Sequence, residues 1–353
     1  MIKLALAFIT SFVVVLLSTP ALIKVSYLKR LVDEPSEGRK VHSRRIPTIG
    51  GIMIFAGTLF SYLLWYPFIE MNDFKYICAS MLILFFIGVK DDIVGTAPMK
   101  KLIGHLIVAF ILVFMAELRI TSMYGLFGIE EIPFYASIAL SVFSYIVIVN
   151  AFNLIDGVDG LASGVGFIAC LAFATWFFFA TGYEDAVLAL ALGGALLGFL
   201  IFNFPPARIF MGDSGSLVIG LIASVLAMKM IEFRTDILPY TIVEISKPVF
   251  AMAALAYPMV DTLRITVLRT LQGRSPFSAD RSHLHHQLLD LGLNHMQTSI
   301  VIYLFSIATI AMAVLLPFVN SINFFIILLF VGIMGGLPSL LLYNKRKKKT
   351  RAA

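Results

Sequence analysis

Eleven apolar stretches, most of them long enough to cross a lipid bilayer, limit what this chain can fold into. They run Ile2–Val25, Thr48–Ile69, Tyr76–Val89, Leu102–Leu118, Phe134–Val149, Leu161–Thr181, Ala186–Phe202, Leu217–Met230, Val249–Leu268, Thr298–Phe318 and Ile322–Tyr343. A spanning helix needs about 20 mostly apolar residues to cross roughly 30 Å of hydrocarbon. The shorter stretches reach that length by tilting or by extending into their polar neighbours. Barrel strands would alternate apolar and polar residues. These stretches are apolar throughout, so they read as helices. With 59% hydrophobic and only 14% charged residues, the chain is excluded from the ordinary soluble domains. The expected fold is an all-α integral membrane protein, one polytopic domain over residues 1–353 with about eleven transmembrane helices.

Charge supplies the orientation. The loops after spans one, three, five, seven and nine, together with the tail, hold most of the 27 Lys and Arg. Lys29, Arg30, Arg39, Lys40, Arg44, Arg45, Lys100, Lys101, Arg208 and Arg281 are among them. The positive-inside rule puts these loops in the cytoplasm, the N-terminus outside and the C-terminus inside. The first span is followed by its basic cluster and shows no convincing cleavage site, so it reads as a retained anchor. Residues 345–353 read as a basic flexible tail at the membrane surface. Cys78 and Cys170 fall inside spans and read as buried filler.

Against this background four polar clusters stand out, each at the mouth of a span and all on the same side. They are Asp91-Asp92, the run Asn150 to Gly160, Gly212-Asp213-Ser214 and His283-Leu284-His285-His286. One such acid is readily an interfacial charge; five on one face are not. Carboxylates packed together repel, so some must hold a proton or share a cation. Oxygen donors with amides nearby suit a hard cation, and Mg²⁺ held partly by substrate phosphates fits best. Asn150, Asn153, Asp156 and Asp159 recur every three residues, which keeps them on one slowly drifting helix face. Gly157 and Gly160 loosen that helix and let a ligand approach the backbone. A plain polar cap between spans five and six would need one such residue, not four.

Other patterns carry less. Gly212-Asp213-Ser214-Gly215 is not read as a serine nucleophile, because that chemistry needs a positioned His–Asp pair. Gly164-Val-Gly166 imitates a dinucleotide fingerprint, but it lies within a span and reads as helix packing. Zinc at the histidines is set aside for want of a nearby thiolate or a His-Glu-x-x-His spacing. Arg and His beside carboxylates suit phosphate oxygens instead. The basic run Arg39 to Arg45 is explained in part as a topology signal. Asp261 and Arg264, three apart in the ninth span, read as a structural ion pair.

At these residues the chain resembles the polyprenyl-phosphate N-acetylhexosamine-1-phosphate transferase family, over nearly its whole length. The matching segments are Pro47 to Gly51, Gly88 to Asp92, Asn150 to Leu161, Asn203 to Ser216 and Gly273 to His286. The family's MurNAc-pentapeptide branch carries His-His-His-x-Glu in its last catalytic loop. His283-Leu-His-His286 departs from that and, with Arg274-Ser-Pro-Phe277, looks like the GlcNAc-phosphate branch.

The resemblance implies transfer of GlcNAc-1-phosphate from UDP-GlcNAc to undecaprenyl phosphate, releasing UMP. This would be the first membrane step of a surface polymer such as teichoic acid or O-antigen, at the cytoplasmic face of the bacterial inner membrane. It implies Mg²⁺ as cofactor, with Mn²⁺ as its substitute. By family position, Asp91, Asp92 and Asp213 are catalytic, with Asp213 and Asp92 on the metal and Asp91 and Asp92 serving the lipid phosphate. Asn150, Asn153, Asp156, Asp159, Asn203 and Phe210 line the nucleotide site. His283, His285 and His286 meet the pyrophosphate side, and Arg44, Arg45 and Arg281 are counted among the substrate-binding residues. A phosphate monoester has its second pKa near ~6, so a dedicated base is not required; a covalent Asp nucleophile is the lesser alternative. The expected partners are the two substrates and membrane lipids, with a homodimer left open and no nucleic acid. The same chemistry on another UDP-HexNAc or on UDP-MurNAc-pentapeptide is the nearest alternative. A secondary transporter would place its acids near the midplane. An intramembrane aspartyl protease would leave the amide-rich run without a role.

Overall fold

The computed structural model describes residues 1–33, 45–67, 73–125, 128–273, 283–316 and 321–352. The described chain is helical apart from loops and one short strand pair. Its helices are α1 (Ile2–Leu28), α2 (Gly51–Trp65), α3 (Phe74–Val94), α4 (Pro98–Phe110), α5 (Phe134–Leu154), α6 (Leu161–Phe179), α7 (Tyr183–Asn203) and α8 (Asp213–Ile231). There follow α9 (Tyr240–Val243), α10 (Lys247–Ala254), α11 (Ala256–Leu271), α12 (Leu284–Leu291), α13 (His295–Leu315) and α14 (Ser321–Ala352). A single wide turn, Ile111–Met115, extends α4. The strands β1 (Val32–Asp33) and β2 (Ile46–Pro47) pair antiparallel.

Among the described residues, eight helices are long and apolar enough to cross a membrane, and nine spans result if the bent pair α10–α11 is one; α2 and α3 are not among them. Each sequence span has a helical counterpart, and two differ in form. The second is shorter than expected: α2 covers 15 residues. The ninth is broken, with α10 and α11 bent by 78°. Pro258 explains the break. It has no N–H to offer the carbonyl of Ala254 four residues back, and its ring crowds that carbonyl. The basic tail expected at 345–353 is helical as far as Ala352, where α14 ends. Lys345 donates to the carbonyl oxygens of Asp290 and Leu291, at 3.1 and 3.2 Å, and so closes the end of α12.

The bundle is organised around α8, which is buried along nearly its whole length. Small residues allow the close approaches. Gly194 and Gly198 on α7 face α1, where a Cβ on Gly194 would stand 2.2 Å from the carbonyl of Phe8. This is the small-xxx-small contact by which helices pack in lipid. Gly164 serves α6 in the same way, lying against Tyr303 of α13. The packing reading of Gly164-Val-Gly166 therefore holds.

The two ends of the bundle are pinned differently. At one end Lys229 of α8 pairs with Asp73, which precedes α3, at 2.6 Å, and with Asp185 of α7 at 2.5 Å. At the other end gather the C-termini of α3, α5, α7 and α11 and the N-termini of α4, α6, α8 and α13, which bear the polar clusters. Cys78 and Cys170 are free thiols.

Candidate active site

The site begins with a glycine. Gly88 lies one turn before Asp91-Asp92 on α3, and a Cβ there would stand 2.5 Å from the backbone of Ser214. Without a side chain, α3 closes onto the first turn of α8. The carboxylate of Asp92 then reaches that turn: it accepts from the backbone N–H of Asp213 at 2.6 Å and of Ser214 at 3.0 Å. Two otherwise orphaned donors at a helix N-terminus are thus satisfied by a negative charge from another helix. Gly212 completes the junction with φ +71. Any Cβ there would meet the Thr48 carbonyl and the Asp92 carboxylate, so only glycine fits.

This junction aims Asp213 into the open. Its Oδ1 accepts from Asn153 Nδ2 at 2.8 Å, and the same amide reaches Ser216 Oγ at 3.0 Å. Its Oδ2 meets the ammonium of Lys101. Lys101 also reaches Asp91 Oδ2 at 3.0 Å. One cationic group therefore joins carboxylates from α3 and α8, and an amide from α5 flanks them.

Beside this cluster lies a cavity of about 290 Å³ lined by Thr48, Asn153, Asp156, Gly157, Asp159, Asn203, Phe210 and Gly212 among others. Its walls are held by backbone pairing between two loops. Phe210 N–H donates to the Pro47 carbonyl at 2.7 Å, and Gly50 N–H to the Phe210 carbonyl at 3.0 Å. Asp156 sits in the turn between α5 and α6. Burial holds its carboxyl well above the ordinary range, and the neighbouring charges of Asp213 and Asp92 push the same way. Asp159 accepts from Ala207 N–H at 3.1 Å and lies 3.3 Å from His295 Nδ1.

The histidines form a third wall. Asp261 of α11 is fully buried; it accepts from His283 Nδ1 at 2.8 Å and from Leu284 N–H at 2.7 Å. It therefore caps α12 and fixes the first histidine at once. His285 Nδ1 lies 3.2 Å from the hydroxyl of buried Tyr257. Its other face abuts Gly157, where a Cβ would stand 2.9 Å from Nε2. Burial drives the His285 imidazole down to about 3, so it is neutral at physiological pH. His286 packs against His285 with ring centres 4.4 Å apart.

The structure thus brings Asp91, Asp92, Asn153, Asp156, Asp159, Asn203, Phe210, Asp213, His283, His285 and His286 to one end of the bundle. Several of these residues also make bonds within the scaffold. Asn150, expected in the nucleotide site, donates through Nδ2 to the Ile146 carbonyl of its own helix at 2.7 Å, and it does not line the cavity. A period of three drifts around a helix of 3.6 residues per turn, so the first member of the run faces away. Asn203 lines the cavity, yet its amide is committed to the scaffold. Its Oδ1 accepts from Gly160 N–H and Ser163 Oγ, and its Nδ2 donates to the Ile209 carbonyl. Both oxygens of Asp92, expected on the metal, accept from the α8 N-terminus, and the Lys101 ammonium pairs with Asp91 and Asp213. Asp261 does approach Arg264, at 3.6 Å, but its shorter contacts are to His283 and Leu284. Arg45 is tied by its carbonyl to Tyr27 at 2.8 Å. Arg44 and Arg281 lie outside the described residues.

Sequence reasoning missed Lys101, Asp261 as the support of the histidines, Tyr257 and His295. Lys101 carried a signal, as half of a Lys pair nine residues beyond Asp92, but that signal was absorbed by the topology count. A polytopic membrane protein with a carboxylate-lined cavity at one end of its bundle is the class that fold and site define. The chain belongs to glycosyl transferase family 4, whose pattern matches residues 74–231. It is 32% identical over 348 residues to the "probable undecaprenyl-phosphate N-acetylglucosaminyl 1-phosphate transferase" of Bacillus subtilis, covering 96% of this chain and 93% of the relative. It is 33% identical over 325 residues to the "decaprenyl-phosphate N-acetylglucosaminephosphotransferase" of Mycobacterium tuberculosis, covering 86% and 80%. An Escherichia coli "undecaprenyl-phosphate alpha-N-acetylglucosaminyl 1-phosphate transferase" is 29% identical over 288 residues, covering 80% and 75%.

Proposed function

We propose that this protein transfers GlcNAc-1-phosphate from UDP-GlcNAc to undecaprenyl phosphate, releasing UMP, at the cytoplasmic face of the bacterial inner membrane. A lipid-phosphate oxygen attacks the β-phosphorus of the nucleotide sugar, a new P–O bond forms, and the bond to UMP breaks. The observation that carries this reading is the convergence of Asp91 and Asp213, from different helices, on one cation beside the 290 Å³ cavity. Phosphoryl transfer asks a protein mainly for positioning and charge neutralisation. The polar end of an apolar bundle is where a lipid phosphate and a soluble nucleotide can meet.

The donor set fits a divalent metal. Two carboxylates already point at one cation, and the Asn153 amide stands beside them. Hard oxygen donors of this kind suit Mg²⁺. Asp213 and Asp91 would hold it, and Asp92 would keep Asp213 in place. Bound there, Mg²⁺ would offset the charge on the pyrophosphate and polarise phosphorus. Burial raises the Asp156 carboxyl above its ordinary range, where a negative charge is held less readily. Asn153 orients Asp213, and Asp261 and Tyr257 orient His283 and His285 toward the α5–α6 turn.

The assay is UMP release by purified protein given UDP-GlcNAc and undecaprenyl phosphate. Activity is expected to vanish in chelator and return with Mg²⁺ or Mn²⁺; full activity under thorough chelation defeats the metal. The departure of the His283–His286 segment from the MurNAc-pentapeptide pattern supports GlcNAc as the sugar. Comparable kcat/KM on UDP-MurNAc-pentapeptide would overturn that choice while leaving the chemistry standing.

A further inference from the structure

We infer that Lys101 is a built-in placeholder for the divalent cation: its ammonium occupies the point between Asp91 and Asp213 in the metal-free protein and leaves when metal enters. This rests on the metal reading above and adds to it an exchange that the reading alone does not require.

The argument is one of shared oxygens. Lys101 stands in the first turns of α4 and reaches back across the end of α3 to Asp91 Oδ2 at 3.0 Å and to Asp213 Oδ2. Its side chain is 23% exposed, and those of the two acids 21% and 22%, so the cluster is sheltered but not sealed, and Asp213 itself lines the cavity. The remaining oxygen of Asp213 is taken by Asn153 at 2.8 Å. Asp92 is occupied by the N–H groups of α8. A divalent ion binds carboxylate oxygen at about 2.0–2.1 Å for Mg²⁺. A divalent ion on Asp213 Oδ2 and an ammonium within hydrogen-bond reach of the same oxygen repel at close range. Binding of the one favours departure of the other.

The arrangement also has a use. Without a cation, Asp91 and Asp213 would lose the one group that pairs with both, and their like charges would repel. A tethered ammonium keeps the ligands gathered while the site waits. Lysine suits such a part, being a point charge on a flexible four-carbon stem that can withdraw without unfolding the helix that bears it. Lys100, its exposed neighbour on the same turn, serves as an internal reference.

The test measures metal binding without substrate. Mn²⁺ is titrated into detergent-purified, substrate-free protein and followed by electron paramagnetic resonance, in wild type, Lys101→Met, Lys101→Arg and Asp213→Asn. Removing the competitor is expected to tighten Mn²⁺ binding in Lys101→Met on the order of tenfold, the scale of one charged hydrogen bond. Lys101→Arg keeps a cation there and is expected to stay near wild type. Asp213→Asn is expected to lose the site. In unmodified protein, acetylation of Lys101 read by peptide mass spectrometry is expected to rise severalfold when Mg²⁺ is added, while Lys100 stays constant. This second readout stands even if Lys101→Met fails to fold. Asp213-dependent Mn²⁺ binding that is unchanged or weaker in Lys101→Met, or Lys101 acetylation indifferent to Mg²⁺, overturns the placeholder and spares the metal reading. Wild-type Mn²⁺ binding that ignores Asp213→Asn overturns both.

Discussion

Asp213 spends both its oxygens inside the protein, one on the Asn153 amide and one on the Lys101 ammonium. Asp213→Asn keeps the shape and removes the charge. It is expected to lower kcat for UMP release by at least ~10²-fold, the scale of losing a main electrostatic contributor; near-normal turnover by a folded variant would move the metal role to another acid. His285 gives a prediction of a different kind. Its imidazole is pushed down to about 3 by burial, against roughly 6.5 in the unfolded chain. Between those values the unfolded state binds the extra proton. The stability this group contributes is therefore fully present above about 6.5 and is lost as pH falls toward 3. From pH 7.5 to pH 5 the loss attributable to His285 is about 2 kcal/mol. His285→Asn, which can still accept from Tyr257, is expected to flatten that part of the fall. Thermal unfolding of both proteins at the two pH values checks it, and parallel losses would refute it.

Between elements, glycines decide which helices can meet. A Cβ on Gly88 would collide with the Ser214 backbone at 2.5 Å, whereas one on Gly332 in α14 would meet nothing within 4 Å. Gly88→Ala is expected to push α3 off α8, unhook Asp92 from its two N–H groups and cost about 1–3 kcal/mol of stability. Activity should fall more than tenfold along with it, because Asp91 travels on the same turn. Gly332→Ala is expected to be neutral or to stabilise by up to about 1 kcal/mol, since alanine is the better helix former. Melting temperatures and UMP release on the pair settle the matter; equal behaviour would show that the α3–α8 contact does not position the acids. The bend at Ala254–Leu255 belongs to this scale too. The apolar run Val249–Leu268 looks continuous in sequence, and Pro258 is the one local sign that it cannot be.

For the whole molecule the central question is sidedness. The described contacts tie Asp92 to Asp213, Asn153 to Asp213, His295 to Asp159 and Lys345 to α12, all at one end of the bundle. At the other end Lys229 holds Asp73 and Asp185. Single cysteines placed in Val94–Met99 of a Cys78- and Cys170-free protein are expected to be reached by an impermeant thiol reagent only from the cytoplasm. Those in Gly182–Glu184 should react from outside. Labelling of both segments from one side would break the common-face arrangement.

Most of the architecture was legible because a bilayer leaves few choices. Backbone groups in hydrocarbon must be satisfied internally, so long apolar runs are helices. The acids at the span mouths were legible for the same reason: charge is costly there unless it serves a purpose. The spans were nonetheless legible only one at a time, and their bends, ends and neighbours were not. Whether Asn150 or Asn153 faces the cavity depends on helical phase relative to α8, which no spacing along α5 contains. That Lys101 lies between two acids, and that Asp261 reaches His283 rather than only Arg264, depends on residues 112 and 22 positions apart meeting in space. The sequence by itself determined the class of fold, the polar face and the residue types available to the site. Only the tertiary structure decided which carboxylate caps a helix and which pair with Lys101, because that choice is made by how closely Gly88 lets α3 approach α8.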